Sequence, residues 1–206
     1  QVKTLQTDKH GKIVHLYTSD PEAQDTYVGA AKARNYGVLK MDALIDNHFI
    51  QQLEMKDSDC VFKRVDADTI NNLVEKDEEA ASVLSKEEEE KLKKAYEQCI
   101  NDTSVSVELK ALSPEDMPVQ ITQSEWLRRM KEMQQFGGGM PMMGEMPGSL
   151  NLVVNTNHSL AQKILKSKKS QKEQIGQLYN LALLSQGMLK GKKLTEFIKK
   201  SMTEMV

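Results

Sequence analysis

Residues 137–139 are three consecutive glycines, and backbone N–H groups free of side chains are what a phosphate cradle requires. The surroundings withhold the rest of that chemistry. No Lys-Ser or Lys-Thr pair follows Gly139, no apolar run precedes Gly137, and the neighbours are methionines and prolines instead of a helix start. The turn "YTSDPEA" at 17–23 carries no GxGxxG pattern either. At 65–68, "VDAD" sets two carboxylates two residues apart, as an acid/base pair or a magnesium site would. It also ends an extended run and opens a helix, where Asp68 is a natural cap. His10, His15, His48 and His158 have no metal-ligand spacing. His15 falls in a strand pattern and His48 on the apolar side of a helix, so both read as satisfied core or boundary residues. Cys60 and Cys99 stand far apart with no CxxC spacing, which argues against a zinc site or a disulfide scaffold and fits a reducing, cytoplasmic setting. No catalytic, cofactor-binding or metal-ligating residue is assigned.

A different chemistry is written at 122–149. Thr122 and Glu125 have capping-box spacing, and Trp126, Leu127, Met130, Met133 and Phe136 follow at three- and four-residue steps, with Arg128, Arg129, Lys131 and Glu132 opposite. Residues 124–149 hold six of the twelve methionines and five of the eleven glycines. Methionine is unbranched and polarisable, so a stripe of this kind accepts apolar segments of varied shape. Ordinary core is the competing reading of the same stripe.

The elements around it divide the chain. "GKIVHLYTS" reads as a strand buried on both faces, and a helix follows, with Ser19 or Asp20 as cap, Pro21 in its first turn and Gly37 as the left-handed residue that ends it. "VLKM" is extended, "DALIDNHFIQQLEMK" is helical through Leu44, His48 and Leu53, and "CVFKRVDA" is extended again. That alternation predicts a small three-stranded parallel α/β/α unit over 1–75. Residues 76–100 read as an acidic helical connector. "VSVELKAL", "MPVQIT" and "LNLVVN" then predict a three-stranded antiparallel sheet with a helical insertion before its last strand, and "NHSLAQKILKSK" predicts a helix capped at Asn155 or Asn157. Near the C-terminus, Ile175, Leu178, Leu181, Ala182, Leu184 and Met188 fall on one stripe. Leu194, Phe197, Ile198, Met202 and Met205 fall on a second, after a break at Gly187 and Gly191. Two copies of this helical hairpin would close as a four-helix dimer bundle, which ends an α+β domain over 101–206.

Composition narrows the partners. A net charge of -2 and 5% aromatic content give no footprint for nucleic acid, and no apolar run is long enough to span a membrane. Charge is uneven locally, with eight acids at 75–90 and ten lysines at 163–200, which reads as solvated faces. No leader pattern opens the chain, and Gln1 in place of methionine is what a piece of a longer protein would have.

The segments "VFKRVDADTINNLV", "ALSPEDMPVQITQSEWLRRMKEM", "GEMPGSLNLVVNTNH" and "LYNLALLSQGMLKGKKLTEFIKKS" resemble the C-terminal half of bacterial heat-shock protein 90 chaperones, in the family order and over essentially the whole chain. The resemblance implies that 1–75 ends the middle domain and 101–206 is the dimerisation domain. It places ATP, magnesium and the ATPase machinery upstream, so this stretch would not itself be an enzyme. It implies a cytoplasmic homodimer acting on non-native client proteins and working with other chaperones. The client-contacting helix would fall at Trp126, Leu127, Met130, Met133 and Phe136. The dimer interface would fall on 171–204, at Leu178, Leu181, Leu184, Met188, Leu194, Phe197, Ile198 and Met202. The ending "TEMV" lacks the acidic tail that recruits tetratricopeptide co-chaperones. The alternative is a small nucleotide-dependent α/β enzyme with an accessory helical assembly domain.

Overall fold

The computed structural model describes residues 2–43, 45–76, 80–123, 150–167 and 170–204. They fall into two compact units, one drawn from 1–79 together with 122–151 and the other from 80–121 together with 152–206. The described residues are mixed α and β, with two three-stranded sheets among them.

The first unit opens with a short helix α1 (Val2–Leu5) and then follows β1 (Ile13–Thr18), α2 (Asp25–Ala33), β2 (Val38–Lys40), α3 (Asp46–Lys56), β3 (Cys60–Arg64) and α4 (Ile70–Leu73). Its sheet has the order β2-β1-β3 and is parallel throughout, with Leu16 opposite Val38 and Ile13 opposite Cys60. As the central strand, β1 must be apolar on both faces. Val14 and Leu16 pack with Tyr27, Val28 and Ala31 of α2 and with Ile70 and Leu73 of α4. On the other face Tyr17 and Phe62 pack against Ile50 of α3. His15 sits beside them, stacked on Phe62 at 4.9 Å between ring centroids.

Local punctuation differs from the sequence expectation in three places. Helix α2 begins at Asp25, because the side chain of Gln24 is drawn inward and the stretch from Pro21 is a turn. The left-handed residue after it is Asn35 (φ 57), not Gly37. Gly37 instead lies against Gln6, whose Oε1 accepts the Gly37 N–H at 2.7 Å and whose amide donates to the Gly37 carbonyl at 3.2 Å. On α3 the residue that turns into the core is Ile50, with Leu53 beside it, while His48 is exposed.

The second unit contains α5 (Lys86–Ile100), β4 (Val105–Lys110), β5 (Val119–Thr122), β6 (Leu150–Asn155), α6 (Ser159–Lys166), α7 (Gln171–Ser185) and α8 (Gly191–Glu204). The strand order is β4-β6-β5, which puts the most apolar run, "LNLVVN", in the centre. The acidic stretch read as a connector contributes α5 to this unit. A full capping box, Ser85 with Glu88, starts the helix, and Leu92 and Tyr96 bury one face of it against β4, α6 and α7. Burial pushes the Tyr96 hydroxyl well above its ordinary range.

The cap of α6 is His158, whose Nδ1 accepts the Leu160 N–H at 3.2 Å. The two asparagines expected there do other work. Asn155, fully buried, accepts from Leu112 N–H and donates to the Ser113 carbonyl at 2.8 Å. Asn157 accepts from Val83 N–H at 2.9 Å and donates to the carbonyls of Ala81 and Leu112. Between them they satisfy the polar backbone where three loops converge.

Candidate functional site

The α7–α8 hairpin is built from two unlike helices. The sequence groups Ile175, Leu178, Leu181, Ala182, Leu184 and Met188 in one stripe, and the structure splits it. Ile175 and Ala182 turn inward with Leu183 and are buried, whereas Leu178 and Met188 are half-buried and Leu181 and Leu184 are exposed. The helix ends in a Schellman motif. Gly187 (φ 62) takes the left-handed position, its N–H donates to the Leu184 carbonyl at 2.9 Å, and the Met188 N–H donates to the Leu183 carbonyl at 2.9 Å. Leu189, just beyond, is buried and anchors the turn.

Helix α8 differs: no described side chain on it is buried. Leu194 and Phe197 are half-covered, and Ile198 and Met202 are exposed. Leu181, Leu184, Ile198 and Met202 are each 42–64% accessible. An ion pair from Lys200 Nζ to Glu173 Oε1, 2.5 Å long, ties the helix to α7, and Lys192 pairs with Glu196 at 3.7 Å along it. Both pairs are exposed, and such pairs contribute at most about 1 kcal/mol each. A groove of about 430 Å³ runs beside the hairpin, lined by Cys99 of α5, Gly176, Tyr179 and Leu183 of α7, and Phe197 of α8.

A second apolar surface, which the sequence reading missed, lies on the first unit. Ile45, Phe49 and Met55, in and just before α3, are 53–80% exposed, and Leu39 on the edge strand β2 is also exposed. The signal was present in "ALIDNHFIQQLEMK": Ile45 and Phe49 are four apart, one turn of helix, and only Ile50 and Leu53 are needed to seal the core.

The places where the sequence offered bond chemistry are occupied by the protein's own groups. The carboxyl ends of β1 and β3, where an open parallel sheet takes ligands, are filled by the protein's own groups. Gln24 Oε1 accepts from Thr18 Oγ1 at 2.6 Å and from the Ser19 N–H at 3.1 Å, and its amide donates to Asp66 Oδ2 at 2.8 Å. Asp66 also takes two hydrogen bonds from Arg64, at 2.5 and 2.9 Å. The two aspartates of "VDAD" therefore do not form a pair. Asp66 is buried against Arg64, while Asp68 accepts the Thr69 N–H at 2.6 Å and takes a second bond from the Asn72 side chain.

Neither cysteine is activated. Desolvation, followed by the neighbouring Asp57, pushes the Cys60 thiol up, and desolvation does the same at Cys99, which donates to the Lys172 carbonyl. Among the described residues no group of three His, Cys, Asp or Glu side chains is placed to hold a metal. No helix among them is long and apolar enough to cross a membrane. Thr122 is the buried last residue of β5, and Trp126, Leu127, Met130, Met133 and Phe136 lie outside the described residues.

No model of a known protein family matches the chain. Among curated proteins it is similar to the chaperone protein HtpG of Porphyromonas gingivalis, 39% identical over 175 residues, which is 84% of this chain and 26% of that protein. It is also similar to the proteins of the same name from Bacteroides thetaiotaomicron, 37% identical over 172 residues, and Bacteroides fragilis, 36% identical over 173 residues. Each of those matches covers 82% of this chain and 25% of the relative. The chain thus spans about a quarter of the length of the relatives it matches.

Proposed function

The chain belongs to the HtpG group of heat-shock protein 90 chaperones, and on that premise we propose that it is a homodimerising module that presents apolar surface to non-native client proteins. In this reading 1–75 closes the middle domain and 101–206 is the dimerisation domain. ATP and magnesium are bound by other parts of the full-length protein, which works in the cytoplasm with other chaperones.

One observation carries the dimer. Helix α8 is amphipathic and fourteen residues long, yet no described side chain on it is buried in the protomer. Helices of that length are marginal in water without tertiary packing, so its apolar face requires a cover. An identical hairpin about a two-fold axis supplies one, meeting Leu181, Leu184, Ile198 and Met202 with their own copies and leaving the lysine-rich faces in solvent. Exchanging Leu184 and Ile198 together for glutamate converts a dimer into a monomer by light scattering; a dimer that survives both changes overturns the interface.

Client binding rests on the adaptable stripe from Trp126 to Phe136 and on the exposed apolar face at Ile45, Phe49 and Met55. Met130→Ser with Met133→Ser is expected to weaken suppression of aggregation of a denatured test protein while leaving mass and melting temperature unchanged. A fall of many degrees in melting temperature would make the stripe core. Against the enzyme reading stands the crevice already filled by Gln24 and Asp66. Calorimetry with ATP and magnesium is expected to record no binding to this chain.

A further inference from the structure

Gly176 stands inside α7 for no reason that the protomer supplies. Glycine destabilises a helix interior relative to alanine, and it is favoured where the backbone needs a positive φ or a neighbour needs the space. Neither condition holds here: Gly176 lacks the positive φ of Gly187 and Gly191, and a Cβ on it would meet nothing within 4 Å. The space above it is the groove beside the hairpin. Glu173, Gly176 and Asn180, three and four residues apart on one face of α7, line one side, and Lys193, Phe197 and Lys200 of α8 line another. The Lys200–Glu173 ion pair bridges the two. Helices packed ridge into groove leave little space between them, whereas about 430 Å³ lies open here among α5, α7 and α8. On the next face of α8, beside Phe197, Ile198 and Met202 stand one helical turn apart and are 43% and 64% accessible.

We infer, on the homodimer reading, that this groove is the seat for a second copy of the chain, whose Ile198–Met202 ridge enters over Gly176 while the same contact forms in return about the two-fold axis. A ridge and a groove side by side on one hairpin are what an isologous interface uses, since each copy then fills the other. The occupant follows from that pairing. A small molecule or an unrelated peptide in the groove would leave Ile198 and Met202 exposed, whereas a second hairpin covers ridge and groove together. Gly176 is then kept small for the assembly, because a side chain there would stand in the path of the incoming ridge.

The test is a size series, Gly176→Ala and Gly176→Leu, in the whole chain. Both residues suit a helix better than glycine, so the helix content and melting temperature of the dilute protomer are expected to stay level or rise. The dimer dissociation constant, from sedimentation equilibrium, is expected to rise little in the alanine variant and about tenfold or more in the leucine variant. Cys99 lines the groove and is half-buried, so it reports on the seat directly. Its alkylation should slow as the wild type is concentrated, with Cys60 unchanged, and Gly176→Leu should lose that dependence over the same range. A leucine variant that dimerises as tightly as wild type, or Cys99 alkylation that ignores concentration, overturns the inference and leaves the dimer to the test with Leu184→Glu and Ile198→Glu. A leucine variant with a lowered protomer melting temperature overturns it too, because the groove would then be filled from within the protomer. A wild type that stays monomeric at every concentration removes the dimer reading and the seat with it.

Discussion

The sheet of residues 13–64 and the hairpin of residues 171–204 satisfy opposite halves of their chemistry. Four of the six residues of β1 are buried, and the polar groups carried into that core are held by partners in the same unit, as Gln24, Asp66 and Arg64 show. Thr69 Oγ1 is the exception, buried with no hydrogen-bond partner. The hairpin closes its backbone in a Schellman turn at Gly187, but it leaves the Gln186 side-chain Nε2 buried without a hydrogen-bond partner and leaves Ile198 and Met202 uncovered on α8. A region whose backbone is closed and whose apolar side chains stand exposed is finished only by another surface. On the proposed dimer, the difference separates the part of the chain that folds for itself from the part that folds for a partner.

The most forceful way to break the comparison is to attack the finished region. Asp66→Ala removes the acceptor for Arg64 and for the Gln24 amide at a place where both side chains of the ion pair are largely buried, 13% and 6% accessible. Breaking one partner of a buried pair costs about 3–5 kcal/mol. Denaturant unfolding followed by exchange at Val14 and Leu16 should record that loss, while light scattering still finds the wild-type mass. A loss of the dimer in the same variant would mean that the two regions are not independent.

A milder perturbation addresses the unfinished region without any substitution. A helix covered only by a second copy is stabilised by mass action, so each tenfold dilution removes about 1.4 kcal/mol from the dimer-linked transition. Amide exchange along α8 should accelerate on dilution, and exchange at Leu16 should not. Concentration-independent exchange at Ile198 would place the cover of α8 within the protomer.

Much of this division was legible in the sequence, because the hydrophobic effect writes strands as apolar runs. The runs at 13–18, 105–110, 119–122 and 150–155 all became strands, and the glycine break between the last two helices falls where expected. The errors are of another kind. Gly37 was given the left-handed turn that Asn35 makes, since both types tolerate positive φ and only the position of the helix end decides. His48 was placed inward and Phe49 was overlooked, because a helix with apolar residues on two faces has no single stripe to read. The role of Gln24 had no sequence signal at all: it depends on Asp66, forty-two residues away, which only the parallel pairing brings near. Leu181 and Ala182 are adjacent in sequence, yet one is exposed and the other buried, and only the packing of α7 on α5 separates them.

The turn of the hairpin sharpens the comparison further. Gly187 sits at φ 62, and a Cβ there would meet nothing within 4 Å, so the cost of a side chain is backbone strain alone. Gly187→Ala is expected to destabilise the hairpin by about 1 kcal/mol and to weaken the dimer without touching the first unit. Calorimetry on both variants at one concentration measures it, and an unchanged transition would mean that the turn relaxes.

The smallest effect tests whether α5, the acidic helix, belongs with the finished region. Ser85 accepts the Glu88 N–H, and Glu88 Oε2 accepts the Ser85 N–H at 2.9 Å. Hydrogen bonding from the Ser85 backbone first, and then from its hydroxyl, holds the Glu88 carboxyl below its ordinary value. The sign follows from that direction. A carboxyl whose pKa is lowered on folding stabilises the folded state above its unfolded pKa, and the contribution is lost as pH falls through the lowered value. Loss of the Ser85 cap in Ser85→Ala should cost about 0.5–1 kcal/mol near neutral pH, as cap losses do. The gap between variant and wild type should narrow as Glu88 becomes protonated in both. Paired unfolding curves at neutral and acid pH measure this. A gap that stays constant would assign the loss to the bond the Ser85 hydroxyl accepts from the Glu88 N–H, with nothing from the bond it donates to the Glu88 carboxylate.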